Sequence, residues 1–169
     1  MPIFLSADEA LQIAEQVERD GARFYRRASQ GFAESNARNL LLDLAIMEDK
    51  HERTFAAMRA ALSPKEREPT VPDPYDKAAL YLQGIADGTL VDVTADRSER
   101  LTGKETIEAI LETAVGLEKD SIILYLGIKR MIPEGLDRHR VDAIIQAEMG
   151  HIALLTNELA SLRGLKTPA

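Results

Sequence analysis

Cysteine and tryptophan are both absent from the 169 residues, and aromatic side chains make up only 5%. Without cysteine there can be no disulfide scaffold, thiol chemistry, iron–sulfur cluster or cysteine-ligated zinc, so any metal must rest on Glu, Asp and His. Few aromatics and few β-branched runs leave little from which to build a sheet. No segment approaches the roughly 20 apolar residues of a membrane-spanning helix, and Met1 to Ser6 lacks the basic and apolar regions of a secretory signal. Basic residues number 21 against 28 acidic, a formal charge of −7, and they occur singly or in pairs without forming a stripe, which disfavours a nucleic-acid surface. The expectation is a cytoplasmic protein that binds neither nucleic acid nor membrane. A hydrophobic content of 45% suffices for one core, so residues 1–169 are expected to form a single domain.

Four long segments carry a helical pattern, each bracketed by start and stop signals. Ser6 and Glu9 read as a capping box opening a helix to about Gln30. A second helix begins at Ser35 or Asn36 and runs to Leu62, where Ser63-Pro64 stops it. Thr102 and Glu105 read as another capping box, starting a helix that Pro133 ends at about Met131. The fourth spans from Glu134 or Asp137 to Arg163, with Gly164 as its cap. Short links make 7–62 and 102–163 antiparallel hairpins, expected to pack as an all-α bundle joined by a long crossover at about 63–101. Within that crossover, Tyr75 to Ile85 reads as a short amphipathic helix and Leu90 to Thr94 as a brief extended piece. Leu80, Tyr81, Leu82 and Ile85 are apolar enough that this helix should cover the bundle end or a partner subunit.

The heptad seams contain charge. On the first two helices the a and d positions are Leu11, Ala14, Glu18, Gly21, Tyr25, Ala28 and Leu41, Leu44, Glu48, His51, Phe55, Met58, Leu62. On the last two they are Leu111, Ala114, Glu118, Ser121, Tyr125, Ile128 and Val141, Ile144, Glu148, His151, Leu155, Glu158, Leu162. Glu18 and Glu118, Tyr25 and Tyr125, Glu48 and Glu148, and His51 and His151 all lie 100 positions apart, as do Ala14 and Ala114, and Asp20 and Asp120. A shared set of such types at one spacing marks an internal duplication of a helical hairpin.

In Glu48-x-x-His51 and Glu148-x-x-His151, residues three apart project from one helix face, so carboxylate and imidazole can reach a common point. With Glu18 and Glu118 the bundle interior holds four carboxylates and two imidazoles. Four buried, uncompensated carboxylates would be severely destabilising, whereas two divalent cations balance them. One Glu from each of two helices and Glu-x-x-His from each of the other two is the ligand set of dinuclear carboxylate bundles. Glu15, Asp20, Glu52 and Asp120 lie off the seam and read as solvated, and His139 as exposed. His51-Glu52 is no zincin motif, since position 55 is Phe. Tyr25 and Tyr125, on the same seam, either fill the core or donate from their phenols to a ligand carboxylate across the bundle. Gly21 and Ser121, one turn past each first glutamate, leave room for a small oxidant.

The run from Glu18 through Gly21, Ala22, Phe24 and Tyr25, with Glu48-x-x-His51, Glu118, Tyr125 and Glu148-x-x-His151, resembles the rubrerythrin branch of the ferritin-like superfamily. The likeness covers the four helices and not residues 63–101. It implies a ferritin-like four-helix bundle holding two irons, with Glu18 and Glu118 as terminal ligands, Glu48 and Glu148 as bridges, and His51 and His151 completing one ion each. It implies catalytic roles for Glu18, Glu48, Glu118 and Glu148, with Tyr25 and Tyr125 supporting them. Two features depart from peroxidase-type rubrerythrins: there is no cysteine-ligated rubredoxin domain, and Ser121 stands where they carry an additional carboxylate.

Three functions are compatible with these residues. One is an oxidoreductase reducing peroxide or dioxygen at a di-iron centre with an external electron donor, in a homodimer. A second is iron handling, in which ferrous ion is oxidised and released or stored. The third is a metal-stabilised interaction module. Manganese or zinc would also accept the same ligands.

Overall fold

The computed structural model describes residues 6–69, 84 and 97–164. Four long helices account for most of them: α1 (Ala7–Ser29), α2 (Asn36–Ala60), α3 (Ile107–Met131) and α4 (Arg138–Leu162), with 3-10 turns at Lys65–Arg67 and Arg97–Arg100. No strand occurs among the described residues, and no helix there is long and apolar enough to cross a membrane.

Local chemistry explains the ends. The Ser6 hydroxyl accepts from the Glu9 amide at 3.1 Å while the Glu9 carboxylate accepts from the Ser6 amide at 2.8 Å, closing the capping box of α1. Ser35 and Asp137 cap α2 and α4 through the amides of Arg38 and His139. Ile132, the residue before Pro133, turns extended (ψ 132°) and ends α3. Gly164, at φ 65°, closes α4 in the left-handed conformation its sequence position suggests.

The reading of Thr102 as a helix start needs correction. Its amide does donate to Glu105, at 2.7 Å, but Gly103 stands at φ 78°, which no right-handed helix accommodates. The box therefore closes a turn, and α3 starts beyond it with Thr106 as cap, accepting from the Ala109 amide at 3.2 Å. The expected Tyr75–Ile85 helix lies outside the described residues except for Gly84, whose backbone is helical, and Leu90 to Thr94 lies outside altogether.

α1 packs antiparallel on α2 and α3 on α4, and the two hairpins close into a four-helix bundle. Its interior has two apolar ends. At one, Leu11, Ala14, Phe55 and Met58 meet Ile128, Ile132, Val141 and Ile144. At the other, Phe24, Leu41 and Leu44 meet Ile110, Leu111 and Leu155. Between them lies the layer that carries the seam glutamates. In α4 the strict heptad fails past Leu155: Leu159 is buried, while Leu162 is 43% exposed and Glu158 half-buried. A straight helix at 3.6 residues per turn drifts about 20° per heptad from a 3.5 repeat, and the drift carries Leu162 off the seam.

The described ends of the crossover are fastened to three helices, α1, α2 and α3. Arg67 pairs with Asp8 and donates to the Arg59 carbonyl at 2.8 Å. At the other end, Arg27 donates to the Leu101 carbonyl at 3.3 Å, and Arg97 pairs with Asp120 at 2.6 Å.

Candidate metal centre

α1 and α3 each contribute one glutamate to the central layer, and α2 and α4 each contribute a Glu-x-x-His pair. Glu18, Glu48, Glu118, Glu148 and His151 are buried, and His51 is nearly so. They form two overlapping groups, Glu18–Glu48–His51–Glu148 and Glu48–Glu118–Glu148–His151, and within each group one donor atom per residue lies within 4.8 Å of every other. Glu48 and Glu148 belong to both. Glu148 faces both ways: Oε1 is 3.0 Å from His51 Nδ1, and Oε2 is 2.8 Å from His151 Nδ1. His51 Nδ1 also lies 3.6 Å from Glu18, and His151 Nδ1 lies 3.3 Å from Glu48 and 3.4 Å from Glu118. The two imidazoles stack nearly parallel, 5.6 Å apart.

These donors face one another without the alignment of hydrogen bonds. Glu18 Oε2, Glu48 Oε1, both Glu148 oxygens and Nδ1 of both histidines are buried with no hydrogen-bond partner. Clustered orphan acceptors are costly unless a cation or proton lies among them. Donor type, number and disposition fit two divalent cations sharing Glu48 and Glu148. Without cations, protons take that role. Burial, reinforced by Glu48 and Glu148, pushes the Glu18 carboxyl well above its usual range. Burial likewise raises Glu118, against the opposing effect of His151. For His151, burial disfavours the charge, but Glu118, Glu148 and Glu48 outweigh it and push its pKa up to about 12. Glu148 is held near about 2, since the two histidines overcome the effect of burial.

The tyrosines exchange partners across the bundle. Tyr125 donates to Glu18 at 2.5 Å, and Tyr25 donates to Glu118. Burial and the adjacent carboxylates raise both phenols well above their ordinary pKa, so each remains a donor. On Glu18 the phenol takes Oε1 and leaves Oε2 facing His51, whereas on Glu118 the phenol binds Oε1, the same oxygen that faces His151. Gly21 makes room of a specific kind: a Cβ there would stand 3.4 Å from Glu48 Oε2.

Around the cluster, Glu15 departs from its expected solvated place. It is buried and paired with Arg59 at 2.9 Å, because α1 and α2 approach closely enough for the guanidinium to cover it. Asp20, Glu52 and Asp120 all join ion pairs with arginine, and His139 is exposed. Sequence reasoning passed over the different surroundings of the two histidines. Met47 Sδ lies 3.1 Å from His151 Nε2. A thioether only accepts, so Nε2 carries hydrogen and Nδ1 is the nitrogen turned to the carboxylates. His51, in contrast, opens onto a surface depression lined by Thr54, Arg140, Ala143 and Ile144. The signal was available in the duplicated register, where position 147, equivalent to Met47, is alanine.

Neither a protein-family model nor a curated protein gives a match to the chain. Among solved structures, a 2.30 Å crystal structure from Thermotoga maritima, assigned as a ferritin-like diiron-carboxylate protein, is similar to it. The TM-score is 0.70 with 26% identity, over 91% of this chain and 94% of that one. In architecture, with its two antiparallel hairpins and a carboxylate–histidine layer between two apolar ends, the chain is a ferritin-like four-helix bundle.

Proposed function

We propose that the chain is a di-iron carboxylate oxidoreductase that reduces peroxide or dioxygen and is returned to its reduced state by an external electron donor. The observation that carries this reading is the convergence of six donor residues, five of them buried, in two overlapping groups, with the unpartnered atoms of five of the six turned toward one another. The similarity to a ferritin-like diiron-carboxylate protein points the same way. Glu18 and His51 would hold one ion, Glu118 and His151 the other, and Glu48 and Glu148 both. When bound, two ferrous ions supply two electrons, enough with two protons to convert peroxide to two waters.

The remaining contributions belong to the chain. Tyr25 and Tyr125 keep Glu118 and Glu18 in fixed orientations. Met47 holds the His151 ring through Nε2. The apolar ends of the bundle exclude bulk water, and the depression at His51 gives small solutes a way in. A structural site would be closed by its ligands, whereas six donors for two ions leave coordination positions free.

The test loads anaerobic protein with two ferrous ions per chain, mixes it with peroxide or dioxygen, and follows ferric formation by stopped flow. Oxidation much faster than that of free ferrous ion, slowed by Glu18→Ala and by Glu118→Ala, with repeated cycling once reductant is added, is the expected result. Absence of acceleration would overturn the proposal, and one round of oxidation with loss of the ferric product would favour iron handling.

A further inference from the structure

The depression beside His51 is walled by Thr54 of α2 and by Arg140, Ala143 and Ile144 of α4. It holds about 380 Å³. A water's share of the liquid is about 30 Å³, so dioxygen or peroxide needs only a small fraction of that room. The wall is chemically uneven. The Thr54 hydroxyl gives its hydrogen to the Lys50 carbonyl at 3.0 Å, and the side chains of Ala143 and Ile144 offer only hydrocarbon. Arg140 supplies the wall's permanent positive charge, and its side chain is 53% exposed. Among the described residues its guanidinium meets only Asp137, through Nε at 3.6 Å, which leaves both terminal nitrogens for a solute.

The other half of the molecule does not repeat this wall. At the positions equivalent to Thr54, Arg140, Ala143 and Ile144 stand Leu154, Leu40, Asp43 and Leu44, so the arginine is matched by a hydrocarbon and the alanine by an acid. There the His151 ring also lies against Met47. Charge and opening therefore changed together, on one side, while the six donors were kept. The change matters for a negative solute. The chain carries a net −7, and Glu18 and Glu148 stand directly behind the His51 ring, so the field opposes an approaching anion unless a cation at the mouth offsets it.

We propose that Arg140 makes the His51 entrance selective for small carboxylates, so that the substrate class of the centre is an organic peroxide bearing a carboxylate. The substrate class rests on the di-iron oxidoreductase reading, whereas the selectivity of the entrance rests on the wall alone. A guanidinium offers a carboxylate two parallel N–H groups, which no residue at the equivalent place in the other half can do. Ala143 and Ile144 give the organic part of such a solute an apolar surface. Anchored at the exposed rim by its charge, the solute turns its other end inward, toward His51. Arg140 thus acts on which solute arrives and takes no part in holding the ions.

The entrance is tested on the full chain, held metal-free with chelator, by alkylation with iodoacetate and with its neutral analogue iodoacetamide. The chain has no cysteine to consume these reagents, and peptide mass mapping reads each histidine separately. The ratio of the two rates at His51 isolates charge from access. Arg140→Gln should lower that ratio by roughly 3–10-fold, the effect of one largely exposed unit charge a few ångströms away, and leave the ratio at His151 unchanged. Arg140→Lys should keep most of it, and 1 M salt should erase the difference between the variants. A ratio indifferent to Arg140→Gln overturns the proposal. So does a His51 that even iodoacetamide fails to reach, whatever covers it. On ferrous-loaded protein, the preference for monoperoxysuccinate over hydrogen peroxide should fall by a similar factor in Arg140→Gln, and an unchanged preference overturns the substrate class. Loaded protein that reacts with neither peroxide, with the alkylation ratio behaving as expected, would sink the redox reading and leave the selective entrance standing.

Discussion

His51 and His151 hold equivalent places in two copies of one hairpin, yet their surroundings differ. The His51 side chain is 12% exposed and borders an open depression, whereas that of His151 is 3% exposed and lies against Met47. The donor atoms match between the halves, and the residues around them do not. Met47 faces alanine across the register, Thr54 faces Leu154, and Arg140 faces Leu40. Converging on a common point tolerates no change of residue type or spacing, while a neighbouring side chain that only covers or uncovers a ring can vary freely. The duplication thus preserved the arrangement of the donors and let access diverge.

The largest effect should come from removing what the two halves share. Glu48→Ala with Glu148→Ala is expected to abolish binding of both divalent ions in calorimetric titration. Glu18→Ala or Glu118→Ala should instead leave one ion bound. Equal loss of both ions from every single variant would mean that the halves are not separable. Tyr25→Phe and Tyr125→Phe should each weaken binding by about 10–100-fold, through loss of the orienting hydrogen bond.

Next is the pH dependence of the metal-free protein. Glu18 and Glu118 have folded pKa values above their unfolded ones, so the stability they contribute is complete below the ordinary carboxylate range and is lost as pH rises through the raised values. Glu148 acts oppositely: its contribution is present above the ordinary carboxylate pKa and fades as pH falls toward about 2. His151 keeps its proton until pH climbs toward about 12. With chelator present, the melting temperature should therefore fall from mildly acidic to mildly alkaline pH, and two equivalents of metal should flatten that slope. A metal-free protein that gains stability over the same interval would contradict the proton inventory of the cluster.

Access can be probed directly. Diethyl pyrocarbonate should modify His51 faster than His151, and Met47→Ala should bring the two rates together at a stability cost below about 2 kcal/mol, since Met47 is exposed. Unequal rates that survive the substitution would place the barrier elsewhere. The smallest effect belongs to Gly21→Ser, which makes that position match Ser121. Its Cβ meets Glu48 at an ordinary contact distance, so the gain in helix propensity should stabilise the protein by up to about 0.5 kcal/mol, read from chemical denaturation. A marked loss would show that Glu48 needs the space.

Much of this molecule was legible in its residue order. Capping residues and the pre-proline stop located the four helices, because those signals act within one turn of chain. Identical residues 100 positions apart singled out Glu18, Glu48, His51, Glu118, Glu148 and His151, because charge in a seam that should be apolar is conspicuous even in one dimension. Where local and longer-range effects competed, the reading slipped. Thr102 and Glu105 made their hydrogen bonds, but the left-handed backbone of Gly103 turned them into a loop. Leu159 replaced Leu162 at the seam because helix drift accumulates with length. Glu15 was buried because Arg59 of another helix reached it.

The sequence by itself determined which residues form helices, which carry the donors, and that the chain is two copies of one hairpin, since each of these is a matter of spacing along the chain. Only the tertiary structure decided which carboxylate faces both histidines, which phenol serves which glutamate, and which half is open. Those relations join atoms from different helices, and the distances between helices follow from how the whole core packs and not from any single segment.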